Sequence, residues 1–222
     1  VKLKFGKIIS LSDMLKKIAL LVIFMLTCCG VSFADTQTLA LIKELEGKLS
    51  GVKTLETDFI QKKKMAIFAK PVILEGKVFI QEPDLFAWHT NKPVRYIMVI
   101  KGDLIKQWDQ DSRQMQVLSL ARNPTFSVAI NQMKVWFKGN YSSLLNEYEI
   151  KVIGRNPVIL EFTPKENAPA ASLINKVNIT FQNDERYIKK IAIVEKNQDT
   201  TELAFTNTKL NNPINPSNWE LK

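Results

Sequence analysis

The sequence predicts an α+β fold: a single large antiparallel β-sheet of about ten to eleven strands, curled into a half-barrel, with a helical lid. Three observations predict it. About ten segments alternate apolar and polar residues with period two, the pattern of half-buried strands. Apolar residues spaced three or four apart occur in only two stretches, one after the leader-like opening and one mid-chain. No internal repeat, low-complexity tract or Gly/Ser-rich linker divides the chain, so the strands share one sheet, and a sheet that wide curls.

The opening reads as an export signal over residues 1–34. Lys16 and Lys17 precede an apolar run from Ile18 to Leu26, and Ser32-Phe33-Ala34 supplies a small-x-small cleavage site, with Met14 as the expected true start. That apolar run is short of the ~20 residues needed to span a bilayer. Cleavage after Ala34 leaves one domain, residues 35–222, with 26 basic and 21 acidic residues. Both cysteines, Cys28 and Cys29, fall inside the signal, so the mature domain has no disulfide. Leu26-Thr27-Cys28-Cys29 also approximates a lipobox, with cysteine where Gly or Ala is usual; acylation at Cys29 would anchor the chain instead.

In the mature chain, Asp35 to Gly51 has helical spacing, with Leu39, Ile42, Leu45 and Leu49 on one face and Gly51 as the stop. Strands follow at Glu56 to Met65 and Val72 to Gln81. Lys62-Lys63-Lys64 is the one dense basic run; it suits a solvated edge strand guarded by lysines, or a docking patch for an acidic partner or anionic lipid. Three residues are too few to mark nucleic-acid binding. Gly76 to Pro93 then sets two aromatic-rich strands either side of Pro83-Asp84. Leu85 to Trp88 is apolar at every position, so both its faces are dry or one meets an apolar ligand. Arg95 to Ile100, Leu104 to Trp108 and Met115 to Leu120 extend the meander.

Asn123-Pro124 opens a second helix, as N-cap and first-turn proline. Phe126, Ile130, Met133 and Phe137 form its apolar stripe, with Trp136 beside them, and Gly139 closes it. A short helical turn spans Ser142 to Glu147. Strands resume at Tyr148, Val158, Val177, Tyr187 and Glu202, and Asn211 to Trp219 is a tail laid over the sheet.

Catalytic constellations are missing. The chain has one histidine, His89, and no Gly-rich phosphate loop, nucleophile elbow or Cys/His cluster. Asp109-Gln110-Asp111 reads as a polar turn, because an oxygen-ligand site needs more donors. A carboxylate-dependent enzyme acting on lipid or glycan remains a third alternative, with no Glu or Asp marked out by context. The expectation is a protein without catalytic residues, metal or cofactor that binds something greasy.

Three motifs carry a resemblance. They are Asp58-Phe59-Ile60-Gln61, the run from Gly76 through Pro83-Asp84-Leu85-Phe86 to Trp88, and Thr163-Pro164-Lys165. On these the chain resembles the periplasmic outer-membrane lipoprotein carrier family, LolA. The resemblance implies a non-enzymatic carrier that encloses the acyl chains of a lipoprotein or other acylated molecule and moves it between membranes. It further implies an inner-membrane ABC-type release complex as donor and an outer-membrane receptor as acceptor, with no nucleic-acid partner and a monomeric state. An outer-membrane-anchored receptor of the same fold, attached through Cys29, is the alternative.

Alternation and helical spacing place Val78, Ile80, Phe86, Trp88, Val99 and Trp108 on the cavity wall, with Phe126, Ile130, Met133, Trp136 and Phe137 in the lid. A charge at Phe86 is then expected to harm lipid uptake more than folding. One position departs from the family pattern. An arginine that holds the lid is usual before the proline, and here the residue is Glu82, whose carboxylate only accepts hydrogen bonds. The expectation is a lid that opens more readily, or one held by a basic lid residue such as Lys134 or Lys138.

Overall fold

The computed structural model describes residues 33–221. The export reading of 1–34 therefore falls almost entirely outside the described residues, Met14, Cys28 and Cys29 included. Two compact units divide between Gln37 and Thr38. In the first, the described part is the opening turn of helix α1 (Phe33–Ser50); the rest of that helix and the whole sheet belong to the second.

Eleven strands form one sheet. They are β1 (Thr54–Lys64), β2 (Val72–Gln81), β3 (Leu85–Lys92), β4 (Tyr96–Lys101), β5 (Leu104–Asp109), β6 (Gln114–Ser119), β7 (Tyr148–Arg155), β8 (Val158–Pro164), β9 (Ile174–Phe181), β10 (Ile188–Glu195) and β11 (Thr200–Leu210). Their spatial order is β6-β5-β4-β3-β2-β1-β11-β10-β9-β8-β7. Two antiparallel meanders, β1 to β6 and β7 to β11, thus meet where β1 pairs with β11. The lid follows from this order. The segment joining β6 to β7 must link the two opposite edges of the sheet, and it does so as helix α2 (Pro124–Lys138), passing over one face.

That face holds the main core. Alternate residues of the strands, among them Phe59, Val78, Trp88, Met98, Leu160, Ile179 and Phe205, pack against Ile42, Leu45 and Leu49 of α1 and Ile130, Trp136 and Phe137 of α2. Phe137 reaches the middle of the sheet, with its ring 5.3 Å from Phe205 and 6.1 Å from Phe86. Glu46 of α1 accepts hydrogen bonds from the Ser142 backbone N–H (2.6 Å) and hydroxyl (2.9 Å), fixing the turn that leaves α2. Gly139 ends α2 at φ 74°, a conformation that glycine adopts without strain. A Cβ there would lie 2.8 Å from Leu49 Cβ, so the bare backbone is also what lets the two helices close up.

Gly76 is a second place where no side chain fits. A Cβ would meet the His89 carbonyl oxygen at 1.9 Å and the Phe59 ring at 2.8 Å. The space lets Phe59 lie over the strand and tilt onto Trp88, with ring centroids 4.2 Å apart.

The opposite face carries a smaller core of Phe79, Ala87, Ile97 and Val99, joined by Trp108. The tail after β11 covers it with Ile214, Trp219 and Leu221. The Asn218 carbonyl lies 3.0 Å from His89 Nε2, and Trp219 packs edge-on against Phe79.

Three expectations need correction. Lys62-Lys63-Lys64 is not on an edge strand: β1 lies at the centre of the sheet and the lysines end it, paired with Val72, Ile73 and residues 200–202. Leu39 is 41% exposed, and Leu41 instead joins the buried stripe of α1. Asn123 stands at the N-cap position of α2 without capping it, since its side-chain amide donates to the Ser119 carbonyl one turn earlier.

Candidate functional site

Between α2 and the sheet lies a cavity of about 660 Å³. That is within the size range of small-molecule sites, roughly 300–1,000 Å³. The strands supply Trp88, Met98, Ile193 and Leu203, and α2 supplies Val128, Ile130, Met133 and Trp136. These positions are inward for one reason. Trp88 pairs with Met98 across the β3–β4 ladder, so both point to the same side, the side on which α2 lies. One end of the wall is polar. Gln61, Lys63 and Glu195 meet there, and Lys63 Nζ is 2.7 Å from Glu195 Oε1, both side chains being partly exposed.

The predicted wall divides into three groups. Trp88 lines the cavity. Ile80 and Phe86 share its face but line a smaller recess of about 70 Å³ with Phe137, Lys134 and Lys138, while Val78 is wholly buried in the core. Val99 and Trp108 lie on the other side of the sheet. Val99 pairs with Ala87, and Trp108 with Ile97, so the two-residue period carries both away from Trp88. Trp108 instead lies beneath the Arg95 guanidinium, 5.5 Å from the ring centroid. Of the lid residues, Ile130, Met133 and Trp136 line the cavity and Phe137 packs in the core. The side chain of Phe126 lies outside the described residues.

Sequence reasoning missed Met98, Ile193, Leu203 and the polar group Gln61, Lys63 and Glu195. Met98 and Val99 are adjacent in a strand that is apolar on both faces, so alternation alone offers both. Register against Trp88 is the missing signal.

The lid is tied at its C-terminal half. Lys138 Nζ lies 3.4 Å from Glu82 Oε2 and donates to the Pro83 carbonyl. Lys134 donates to the Gly102 carbonyl at 3.2 Å. Burial, and the neighbouring Lys138 charge, hold the Lys134 pKa below the ordinary lysine range. Both lysines therefore bind the rim formed by the β2–β3 and β4–β5 turns. Among the described residues there is no group of three or more His, Cys, Asp or Glu able to hold a metal. No helix among them is long and apolar enough to cross a membrane.

Comparisons with known proteins agree with this architecture. A relative named "Outer-membrane lipoprotein carrier protein" from Pseudomonas fluorescens (strain Pf0-1) is 25% identical over 187 residues, which is 84% of this chain and 85% of the relative. A relative of the same name from Pseudomonas syringae pv. syringae (strain B728a) is 26% identical over 147 residues, 66% of this chain and 67% of its own. Among solved structures, the Pseudomonas aeruginosa MucA/MucB complex aligns with a TM-score of 0.50 at 12% identity, over 82% of this chain and 61% of the matched one; this likeness concerns the fold. The family model described as "Outer membrane lipoprotein carrier protein LolA" matches residues 50–222. The open eleven-stranded sheet, the helix across it and that match agree: the chain belongs to the LolA family of lipoprotein carriers, which are not enzymes.

Proposed function

We propose that this protein is a periplasmic carrier. It takes the acyl chains of a lipoprotein, or of another acylated molecule, into its cavity and ferries the cargo from the inner to the outer membrane. The observation that carries this reading is the apolar cavity of about 660 Å³ under a helix held by side-chain contacts rather than by the sheet ladder. Each CH₂ removed from water is worth about 0.8 kcal/mol, so leaving a sixteen-carbon chain in water costs on the order of 12 kcal/mol. A water-borne intermediary must enclose such a chain. Trp88, Met98, Ile130, Met133 and Leu203 offer the enclosing surface, and the lysines on α2 give a lid that can lift without breaking the sheet.

The relatives' names support the cargo class; the proposed donor is an inner-membrane ABC-type release complex and the proposed acceptor an outer-membrane receptor, as the resemblance implies. The carrier works as a monomer, without a cofactor. Protein purified from the periplasm of its own cells should release acylated molecules on solvent extraction, identified by mass spectrometry. Protein that returns no acylated species would overturn the reading. The mature N-terminus, read in the same experiment, separates a free carrier starting at Asp35 from an anchored receptor acylated at Cys29.

A further inference from the structure

Two polar side chains sit in the wall of the otherwise apolar lid. Gln132 and Trp136 are one helical turn apart on α2, so they lie on the same face. Both line the cavity, and they are 7% and 3% exposed. Yet Gln132 Oε1 and Trp136 Nε1 have no hydrogen-bond partner among the described residues. Buried polar atoms are nearly always paired, because leaving one unpaired forfeits its hydration with nothing in return. The nearby Tyr141 hydroxyl follows that rule and donates to the Trp136 carbonyl at 2.8 Å. Among the described residues, the two other unpaired buried side-chain atoms, Tyr148 Oη and Asn178 Oδ1, belong to residues that do not line the cavity.

We propose that Gln132 and Trp136 form a polar subsite that recognises a secondary amide joining an acyl chain to the rest of the cargo. This rests on the carrier reading and names the chemistry the cavity selects. The indole N–H can only donate, so its partner is an acceptor such as a carbonyl oxygen. The Gln132 side chain has a carbonyl end free to accept, so its partner is an N–H or O–H. An adjoining acceptor and donor is what a secondary amide presents. An ester presents acceptors alone, and a hydrocarbon presents neither. The chain beyond the amide lies against Trp88, Met98 and Leu203, and the polar part of the cargo leaves past Lys63 and Glu195.

The test uses delipidated full-length protein and three ligands of matched length: N-methylhexadecanamide, methyl hexadecanoate and n-octadecane. Affinities are read by displacement of a fluorescent fatty-acid probe. The wild type should bind the amide about tenfold more tightly than the hydrocarbon, with the ester between. Trp136→Phe should weaken amide and ester several-fold more than it weakens the hydrocarbon. Gln132→Leu should weaken the amide alone, and the melting temperature of the empty protein should not fall, since an apolar isostere removes an unpaired group. Equal wild-type affinity for amide and hydrocarbon would overturn the subsite while leaving the carrier standing. So would a Gln132→Leu variant that weakens all three ligands equally or melts lower, because that pattern belongs to a structural role. Binding of none of the three would overturn the carrier reading and the subsite together. Should Trp136→Phe fail to fold, the amide-to-ester ratio in Gln132→Leu decides the matter alone.

Discussion

Lys138 bridges α2 to the β2–β3 turn, with its ammonium 3.4 Å from the Glu82 carboxylate and hydrogen-bonded to the Pro83 carbonyl. The arginine expected at position 82 would have donated toward the lid; here the charges are exchanged and the lid donates toward the sheet. Each partner is about one-third exposed, so the pair is worth roughly 0.2–1 kcal/mol. Glu82→Ala should therefore speed release of a bound fluorescent lipid about two- to fivefold, with little change in melting temperature. Glu82→Arg should also alter release, because it places two cations together. Lys138→Met removes both contacts and should release fastest. Unchanged dissociation rates in all three variants would show that the lid is not held here.

Phe86 is 3% exposed and packs against Phe137, apart from the main cavity. The expectation that a charge there harms uptake more than folding is therefore reversed. Phe86→Ala should lower stability by about 3–5 kcal/mol in urea titration, and Phe86→Glu should fail to fold. Met133 is half-buried and does line the cavity. Met133→Gln should reduce lipid affinity about tenfold while costing no more than ~1 kcal/mol of stability. Equal effects of Phe86→Ala and Met133→Gln on both quantities would contradict this division.

Gly76→Ala is the smallest change that should disrupt the centre of the sheet. Its methyl group would overlap the His89 carbonyl oxygen, and the Phe59 ring could withdraw only by leaving Trp88. Overpacking of this kind costs about 3 kcal/mol. Gly47→Ala, on α1 with open space around it, is the control and should be neutral or slightly stabilising. Chemical denaturation of the two variants side by side checks the difference.

His89 should make the tail sensitive to acid. Burial holds its pKa below the usual histidine value of 6.5, against the raising effect of the bond to the Asn218 carbonyl. A base depressed on folding binds more protons when unfolded, so stability rises with pH through this range. The contribution is complete above about 6.5 and is lost as pH falls toward the folded-state value. Since the sequence has a single histidine, one imidazole titration by NMR reports it without assignment ambiguity. A midpoint above 6.5 would refute the sign. At neutral pH the carbonyl partner requires the proton on Nε2, and His89→Gln should preserve tail docking better than His89→Ala.

Most of the fold was legible because strand alternation and turn residues are local. Val177, Ile179 and Phe181 advertise one buried face, and all three are fully buried. Gly139 was readable as the stop of α2 and sits there with positive φ. The cavity was half legible. Trp136 and Met133 declare themselves by helical spacing, whereas Val99 and Trp108 were misplaced because their strands are apolar on both sides. What decides them is the pairing of Trp88 with Met98, a relation between strands that no single segment records. The tail hides it further, since Ile214 and Trp219 bury the outer face and so license apolar residues there. Lys62 to Lys64 misled for a similar reason. The partner that makes β1 central is β11, at the far end of the chain.

That distant pairing also sets a timetable. Every other ladder joins strands adjacent in sequence, and such hairpins close in microseconds. Lys64, the last residue of β1, and Thr200, the first of β11, are 136 positions apart. Because long-range pairing is slow, β1 and the hairpins beside it form well before β11 reaches them. Throughout that interval β1 holds one open edge, with its backbone donors and acceptors available to any neighbouring chain. Lys62, Lys63 and Lys64 lie on that edge, where like charges discourage two nascent copies from pairing. Replacing Lys62 and Lys64 with Thr should therefore raise aggregation during refolding while leaving the finished protein as stable as before.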